Sequence, residues 1–463
     1  MIEKPANVLQ KELVEIEEEI KKEEKKLKSF VNTKKIIKEK FIEKLNIYNL
    51  SSAKNEVNFP LEKDLFSIEA WVPKTKVKEL FDLTKDMSIS FSEISKEKKD
   101  REPTYMENKE FSHLGEDLVN IYDVPSTKDK DPSLWVLLFF SLFFAMIVSD
   151  AGYGLLYLLL AFVLKWKCIS PRPLLKRFIK LIFFLSCSCI VWGGLTGSFF
   201  GLSVSPDNVL DKTIVMNFLA KKKAEYHLSQ KDEIYQYWQK KYPKLAQVKK
   251  GEDFLSYVVT IEDGEKKYEA LNALKDDILM EFSLLIGAIH ISISFIRYLR
   301  RNWAGIGWIF FIIGGYLYFP SIVGANSFVY YLHILSKDMS IDIGKYILFI
   351  GIGLAILLAL LQKKIKGIME VTNVIQVFAD ILSYLRLYAL GLAGMIMATT
   401  FNGIGQALPL AVGVLVIIVG HAVNILLCIM GGVIHGLRLN FIEWYHYSFE
   451  GDGKLFKPLR MIK

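Results

Sequence analysis

Apolar positions along this chain follow two rhythms. Over residues 8–47, Leu9, Leu13, Ile16, Ile20 and Leu27 recur at steps of four, three, four and seven between Glu and Lys. That spacing predicts a long helix whose seam seeks a partner helix, as in a coiled coil. From residue 134 onward the apolar residues fuse into runs at 134–164, 174–203, 278–296, 303–323, 345–361, 371–400 and 406–438. A helix needs roughly 20 such residues to cross a hydrocarbon core about 30 Å thick. Between these regions the pattern is mixed. "LFSIEAWVP" and "SISFSEIS" read as strands with "KVKELFDLTKD" between them as a helix, so residues 56–97 predict a small α/β unit. Residues 98–132, with Pro, Lys and Asp, predict an irregular linker.

Charge orients the runs. Residues 165–180 carry Lys165, Lys167, Arg172, Lys176, Arg177 and Lys180 without an acid, residues 297–301 carry three Arg, and residues 363–366 three Lys. The alternate connectors, 324–344 and 401–405, hold Lys337 as their only Lys or Arg. The excess of bases places the first set, with the C-terminal tail 440–463, in the cytosol. The polar start "MIEKPANVLQKELVEIEEE" has no signal-peptide pattern, so the arm is expected there too. Seven passes would put the termini on opposite sides. Residues 134–164 are therefore expected to enter and return as two short spans, turning at Asp150, Gly152 and Gly154. The alternative is one long span kinked at the glycines. The fold expected is an α-helical membrane protein of about eight transmembrane helices, the first two a hairpin and the last two long and tilted. A cytosolic arm (1–132) precedes a membrane domain (133–463), and an outer insertion (204–277) contains a hairpin turning at Asp263-Gly264.

Composition agrees: 52% of residues are hydrophobic and mean hydropathy is +0.27. The net charge of +8 is not a nucleic-acid signal, because the bases cluster at the ends of apolar runs. Cys168, Cys187, Cys189 and Cys428 lie in or beside apolar runs with no metal-ligand spacing, so no metal or cofactor is expected.

Two basic residues stand out. Arg386 lies some 15 residues from either end of its run, where an arginine costs about 2.5–3.5 kcal/mol on insertion scales. It stays charged at any biological pH. Helical steps from it reach Ala379, Ser383, Ala389 and Ala393, a flank of small side chains that another helix could approach. Asp380, six residues back, falls on a different face. Arg438 ends the last run, with His435, Gly431, Asn424 and His421 drifting along one side of the helix. Alone, Arg438 would read as a membrane-edge marker and the histidines as packing donors. That run of 33 residues, roughly 50 Å if helical, must tilt or protrude.

"SYLRLYALGLA" resembles the arginine-bearing helix of the membrane stator subunit (a, or I) of V-type and A-type rotary ATPases. "HGLRLNFIEWYHYSFEGDGKLFKPL" resembles that family's closing segment, "SLFFAMIVSDAGYGLL" its first membrane hairpin, and "IEAWVP" its soluble-arm motif. The resemblance implies a non-catalytic, ion-conducting subunit beside a ring of rotor hairpin (c/K) subunits, each with one ion-binding carboxylate. Two half-channels would reach that carboxylate, with Arg386 as the essential arginine between them and Arg438 as the second. Peripheral-stalk and central-stalk subunits, a prokaryotic cytoplasmic membrane, and protons or sodium ions as cargo are implied with it. Family arms are usually longer, so the seam's partner is expected from a preceding segment or another polypeptide. Depth and face nominate Glu370, Gln376 and His435 for the inner half-channel, and His421, Asn424 and Asp150 for the outer. The alternative is a secondary ion-coupled transporter, for which no internal repeat is evident. No P-loop occurs, so ATP hydrolysis is expected on partner chains.

Overall fold

The computed structural model of the chain describes residues 6–462 apart from 56, 62–64, 86, 88, 98, 109–110, 169–172, 207 and 263–264. It divides into two compact units, Met1–Tyr105 with Lys454–Lys463, and Met106–Gly453.

In the first unit, α1 (Ala6–Asn55) is a single helix of 50 residues. Ion pairs one turn apart, such as Lys26–Glu23 and Lys40–Glu43, line its surface. Ile16 and Ile20 of the seam are exposed, while the side chains of Leu9, Leu13 and Leu27 lie outside the described residues. Strands Asn58–Leu61 and Leu65–Ser67 pair antiparallel, and α2 (Val77–Lys85) follows a tight turn after Pro73. "SISFSEIS" forms no strand among the described residues. Instead Phe91 turns its ring edge onto Phe81 at 5.9 Å. Pro103–Thr104 pairs parallel with Lys454–Leu455, and Asn46 bonds both backbone groups of Ile462. The tail expected over 440–463 is thus divided between the units.

The second unit begins ahead of the expected boundary at 132. The supposed linker contains α3 (Ser112–Tyr122), whose Leu114, Leu118 and Val119 are buried. Its apolar positions recur at helical spacing, which outweighs the polar flanks. Then follow α4 (Ser133–Val148), α5 (Ala151–Lys167) and α6 (Pro173–Thr196). The break in the first run falls on Ser149, which is left-handed at φ 49°, and on Asp150, which caps α5 by accepting from Tyr153 N at 3.0 Å. Gly152 and Gly154 are not in the turn. They are helical and allow close packing: a Cβ on Gly154 would lie 2.9 Å from Ile190 N.

The insertion is mostly helical, with α7 (Val215–Gln230), α8 (Glu233–Lys241) and α9 (Gly251–Tyr257). Its strands Val259–Glu262 and Glu265–Tyr268 form the expected hairpin; the Asp263-Gly264 turn lies outside the described residues. Next come α10 (Glu269–Arg297), α11 (Gly305–Val323), the single turn α12 (Phe328–Tyr331) and α13 (Lys337–Lys363). Helices α11 and α13 run antiparallel with their backbones nearly touching. A Cβ on Gly307 would sit 2.2 Å from Ala355 N, and one on Gly351 2.4 Å from Phe311 N. A tight helical corner, Lys364–Thr372, leads into α14 (Asn373–Leu382), α15 (Leu385–Gln406), α16 (Leu410–Arg438), a π-turn (Leu439–Trp444) and α17 (Tyr445–Ser448).

Among the described residues, five helical segments are long and apolar enough to cross a membrane: Pro173–Thr196, Glu269–Arg297, Gly305–Val323, Lys337–Gln406 and Leu410–Ser448. Ser133–Val148 is apolar but shorter. Lys337–Gln406 counts once at 70 residues, although the corner at 364–372 divides it.

A knot of backbone bonds closes the unit. Asp129, with a fully buried side chain, accepts from Ser126 N, Glu450 N and Gly451 N at 3.0–3.2 Å. It also meets Arg301 Nη1 at 3.4 Å, and Arg301 pairs in turn with Glu450.

Candidate functional site: an arginine pair and two polar clusters

Helices α15 and α16 are antiparallel neighbours in tight contact. A Cβ on Gly405 would reach Ile417, one on Gly420 would strike Phe401, and one on Gly394 would meet Cys428 Sγ at 3.1 Å. Continuing this register places Arg386 level with Gly436, between His435 and Arg438. Residues far apart in sequence thereby come to one level of the helix pair.

The chain also bends beside Arg386. Tyr384 N donates to Ile381 O at 3.1 Å and Leu387 N to Tyr384 O at 2.9 Å, the tighter spacing that separates α14 from α15. Helix α10 holds this bend. A Cβ on Gly287 would lie 2.6 Å from the Tyr384 ring, and Tyr384 Oη lies 2.7 Å from His290 Nδ1. Arg386 is the second residue of α15, and its side chain is 25% exposed. Of the small flank, Ala379, Ala389 and Ala393 are exposed and Ser383 is partly buried.

A partner that the sequence did not suggest lies opposite. Glu443, only 3% exposed, places Oε1 4.0 Å from Arg386 Nη1 and 3.8 Å from Arg438 Nε. An α-helix would turn position 443 about 140° away from position 438. The π-turn, with its i→i+5 hydrogen bonds, winds more slowly and brings Glu443 back toward the arginine's side. No 3.6-residue pattern could reveal that. Trp444, the next residue, stacks on His290 with 5.3 Å between ring centres, and its carbonyl accepts from Ser294 Oγ at 2.7 Å. Arg386 Nη1, Glu443 Oε2 and His435 Nδ1 are buried atoms without a hydrogen-bond partner among the described residues.

Asp380 does not pair with Arg386. It accepts from Gln376 Nε2 at 2.8 Å and from Tyr447 Oη at 2.5 Å. Glu370 is tied into the 364–372 corner. It accepts from Asn302, Trp308 and Asn373 at 3.0–3.4 Å and meets Lys363 Nζ at 3.2 Å. With both oxygens engaged, it holds the corner together.

His421, Asn424 and Asp150 lie around α5. Asn424 Nδ2 donates to Tyr153 Oη at 2.9 Å, and Tyr153 Oη lies 2.7 Å from His421 Nδ1. His421 Nε2 lies 2.9 Å from Asn402 Oδ1, and Asn402 Nδ2 donates to Phe200 O at 2.8 Å. With Asn donors at both ends, the chain is satisfied when Tyr153 donates to Nδ1 and His421 carries its proton on Nε2. Asp150 Oδ2 accepts from Ser198 Oγ and Gly201 N at 3.2 and 2.9 Å, fixing the loop that presents Phe200. Tyr153 and Asn402 join this cluster without having stood out in the sequence. Of the two, Asn402, near the end of an apolar run, offered a signal. Among the described residues no group of His, Cys, Asp and Glu could hold a metal ion.

Residues 1–185 match the V-type ATPase 116kDa subunit family. The V-type ATP synthase subunit I of Chlamydia pneumoniae is 42% identical, over all of this chain and 71% of its own length. The chain belongs to this family. Similarity extends to the V-type ATP synthase subunit I of Borreliella burgdorferi, 27% identical over 87% of the chain and 61% of that protein. The A-type ATP synthase subunit I of Methanocaldococcus jannaschii is 26% identical over 97% of the chain and 63% of that protein. As a family member, this chain is a rotary-ATPase subunit of the I/a type, a membrane protein of an ion-transporting complex.

Proposed function

We propose that this chain is the ion-translocating stator of its rotary ATPase, in which Arg386 faces the carboxylates of a rotor ring. The observation that carries the reading is a partly exposed arginine side chain with one buried, unmet donor, on a flank of small residues in a long apolar helix. A membrane helix keeps such a charge at considerable cost unless it meets a partner or water. A rotor carboxylate passing Arg386 is favoured in its charged form and releases its cation. Because the guanidinium cannot discharge, ions cross only by riding the rotor between two half-channels. Gln376 and His435 would line the inner one, and His421, Asn424 and Asp150 the outer one. Glu370, occupied within its corner, would shape the inner mouth.

The arm and the termini would lie in the cytosol, and 204–277 outside. Residues 134–164 would count as two passes and Lys337–Gln406 as two, giving eight. Catalysis would reside on other subunits, with rotor hairpins and stalk subunits as neighbours.

The test is Arg386→Ala in the complete complex in sealed vesicles. The complex should assemble and bind its ring, while ATP-driven ion transport is lost. Normal coupled transport by that variant would overturn the reading.

A further inference from the structure

We propose that Glu443 is a resident counter-ion that faces Arg386 and Arg438 between passages of the rotor's carboxylates and so sets how tightly the arginines hold each one. This rests on the proposed function. The starting point is an ion triad that is close but incomplete. Glu443 Oε1 lies 4.0 Å from Arg386 Nη1 and 3.8 Å from Arg438 Nε. A committed arginine–carboxylate pair closes to about 2.7–2.9 Å, often through two parallel bonds. Here attraction acts without a hydrogen bond, and both sides keep unmet capacity: Nη1 on Arg386 and Oε2 on Glu443. Groups so buried are ordinarily satisfied.

Position separates the partners' roles. Glu443 is nearly fully buried and is held by the π-turn. Its neighbour Trp444 is stacked on His290 and bonded to Ser294. Arg386 is partly exposed, on the open flank of α15. The carboxylate is therefore fixed behind the arginines, on the side of the buried Arg386 Nη1, and the exposed part of the Arg386 side chain remains for a group arriving from in front. Two positive charges with one negative charge behind them leave a net single positive charge for the incoming carboxylate. Without Glu443 that carboxylate would face two. It would hold its charged form more strongly, reload its cation less readily and leave the arginine more slowly.

The experiment compares Glu443→Gln, Glu443→Asp and Arg386→Ala in the assembled complex in sealed vesicles. Initial ATP-driven transport is measured across a pH series and, separately, a sodium series. Glu443→Gln should move half-maximal transport toward more cation by roughly tenfold, or about one pH unit downward if protons are carried. Glu443→Asp, which keeps the charge, should return most of the way to the parent value. A residue that only packs would lower the amount of complex or the maximal rate and leave the half-saturation point unmoved. An unmoved half-saturation point in Glu443→Gln overturns the proposal, as does failure of both Glu443 variants to assemble. Transport surviving Arg386→Ala would instead remove the underlying reading, so the two failures are distinct.

Discussion

Arg386 and Arg438 carry the same group in different settings. Arg438 is about half exposed at the end of α16, whereas Arg386 sits beside a bend enforced by Tyr384. Arg386→Lys should therefore also lose coupled transport, because an ammonium loses its charge under burial more readily than a guanidinium. Transport by the lysine variant comparable to the parent would count against a need for permanent charge. Asp150 is a residue with separable duties. An asparagine there can still cap α5, but its amide would present a donor to Ser198 and Gly201. Asp150→Asn should loosen the loop while the helix start survives. Asp150→Ala should lose both and cost about 1–3 kcal/mol. Proteolysis at 198–203 and thermal unfolding in detergent measure the two effects. If both variants behave alike, the separation fails. Arg386 was legible in the sequence because nothing structural calls for a cation so deep in an apolar run. Glu443 was not: five residues after Arg438 it belongs, by ordinary helical phase, to another face.

At the scale of elements, the π-turn carries the most consequence. Deleting Ile442 should restore an α-helical repeat in which Glu443, then four residues after Arg438, stays about 40° from it and keeps the same side of the helix. Transport should then keep the parent's cation requirement, unlike that of Glu443→Gln. A cation requirement raised as in Glu443→Gln would mean that the π-turn itself is needed, and not only the carboxylate on that side. Apolar runs predicted the long apolar helices well, because such a helix is marked by length and hydrophobicity alone. The breaks were harder to read. Ser149–Asp150 was located within a few residues by its Asp and Gly neighbours, yet the glycines proved to serve packing, Gly152 against the Phe200 ring and Gly154 against α6. The supposed strand "SISFSEIS" has the right alternation, but Phe91 finds its contact on a helix rather than in a ladder. Helix α3 was missed because its polar flanks hid a short apolar stripe.

For the whole molecule, the insertion is the most distinctive part. It folds around its own charge pairs. Lys221 reaches Asp211 at 2.6 Å, and His227 Nδ1 lies 2.6 Å from Asp232, which also caps α8. Burial pulls the Asp232 carboxyl up, but the His227 bond and charge, the Tyr235 amide and Asn326 outweigh it and hold the group below its usual value. The sign follows: this stabilisation is complete above the ordinary aspartate pKa near 3.8 and is lost as pH falls through the lower folded value. Protease digestion of the insertion should thus accelerate only below about pH 4, and Asp232→Asn should flatten that dependence. Digestion whose acceleration is the same in both proteins would refute it.

The knot around Asp129 has a mechanical reading. Three backbone amides and one guanidinium converge on that single buried carboxylate, so the segment after α17 is pinned to the stretch before α4. On the proposed function, a tangential drag on α16 from a turning neighbour would load these bonds in parallel instead of unravelling the helix from its end. The segment after α17 would then move with the stretch before α4 as one block instead of fraying from its end.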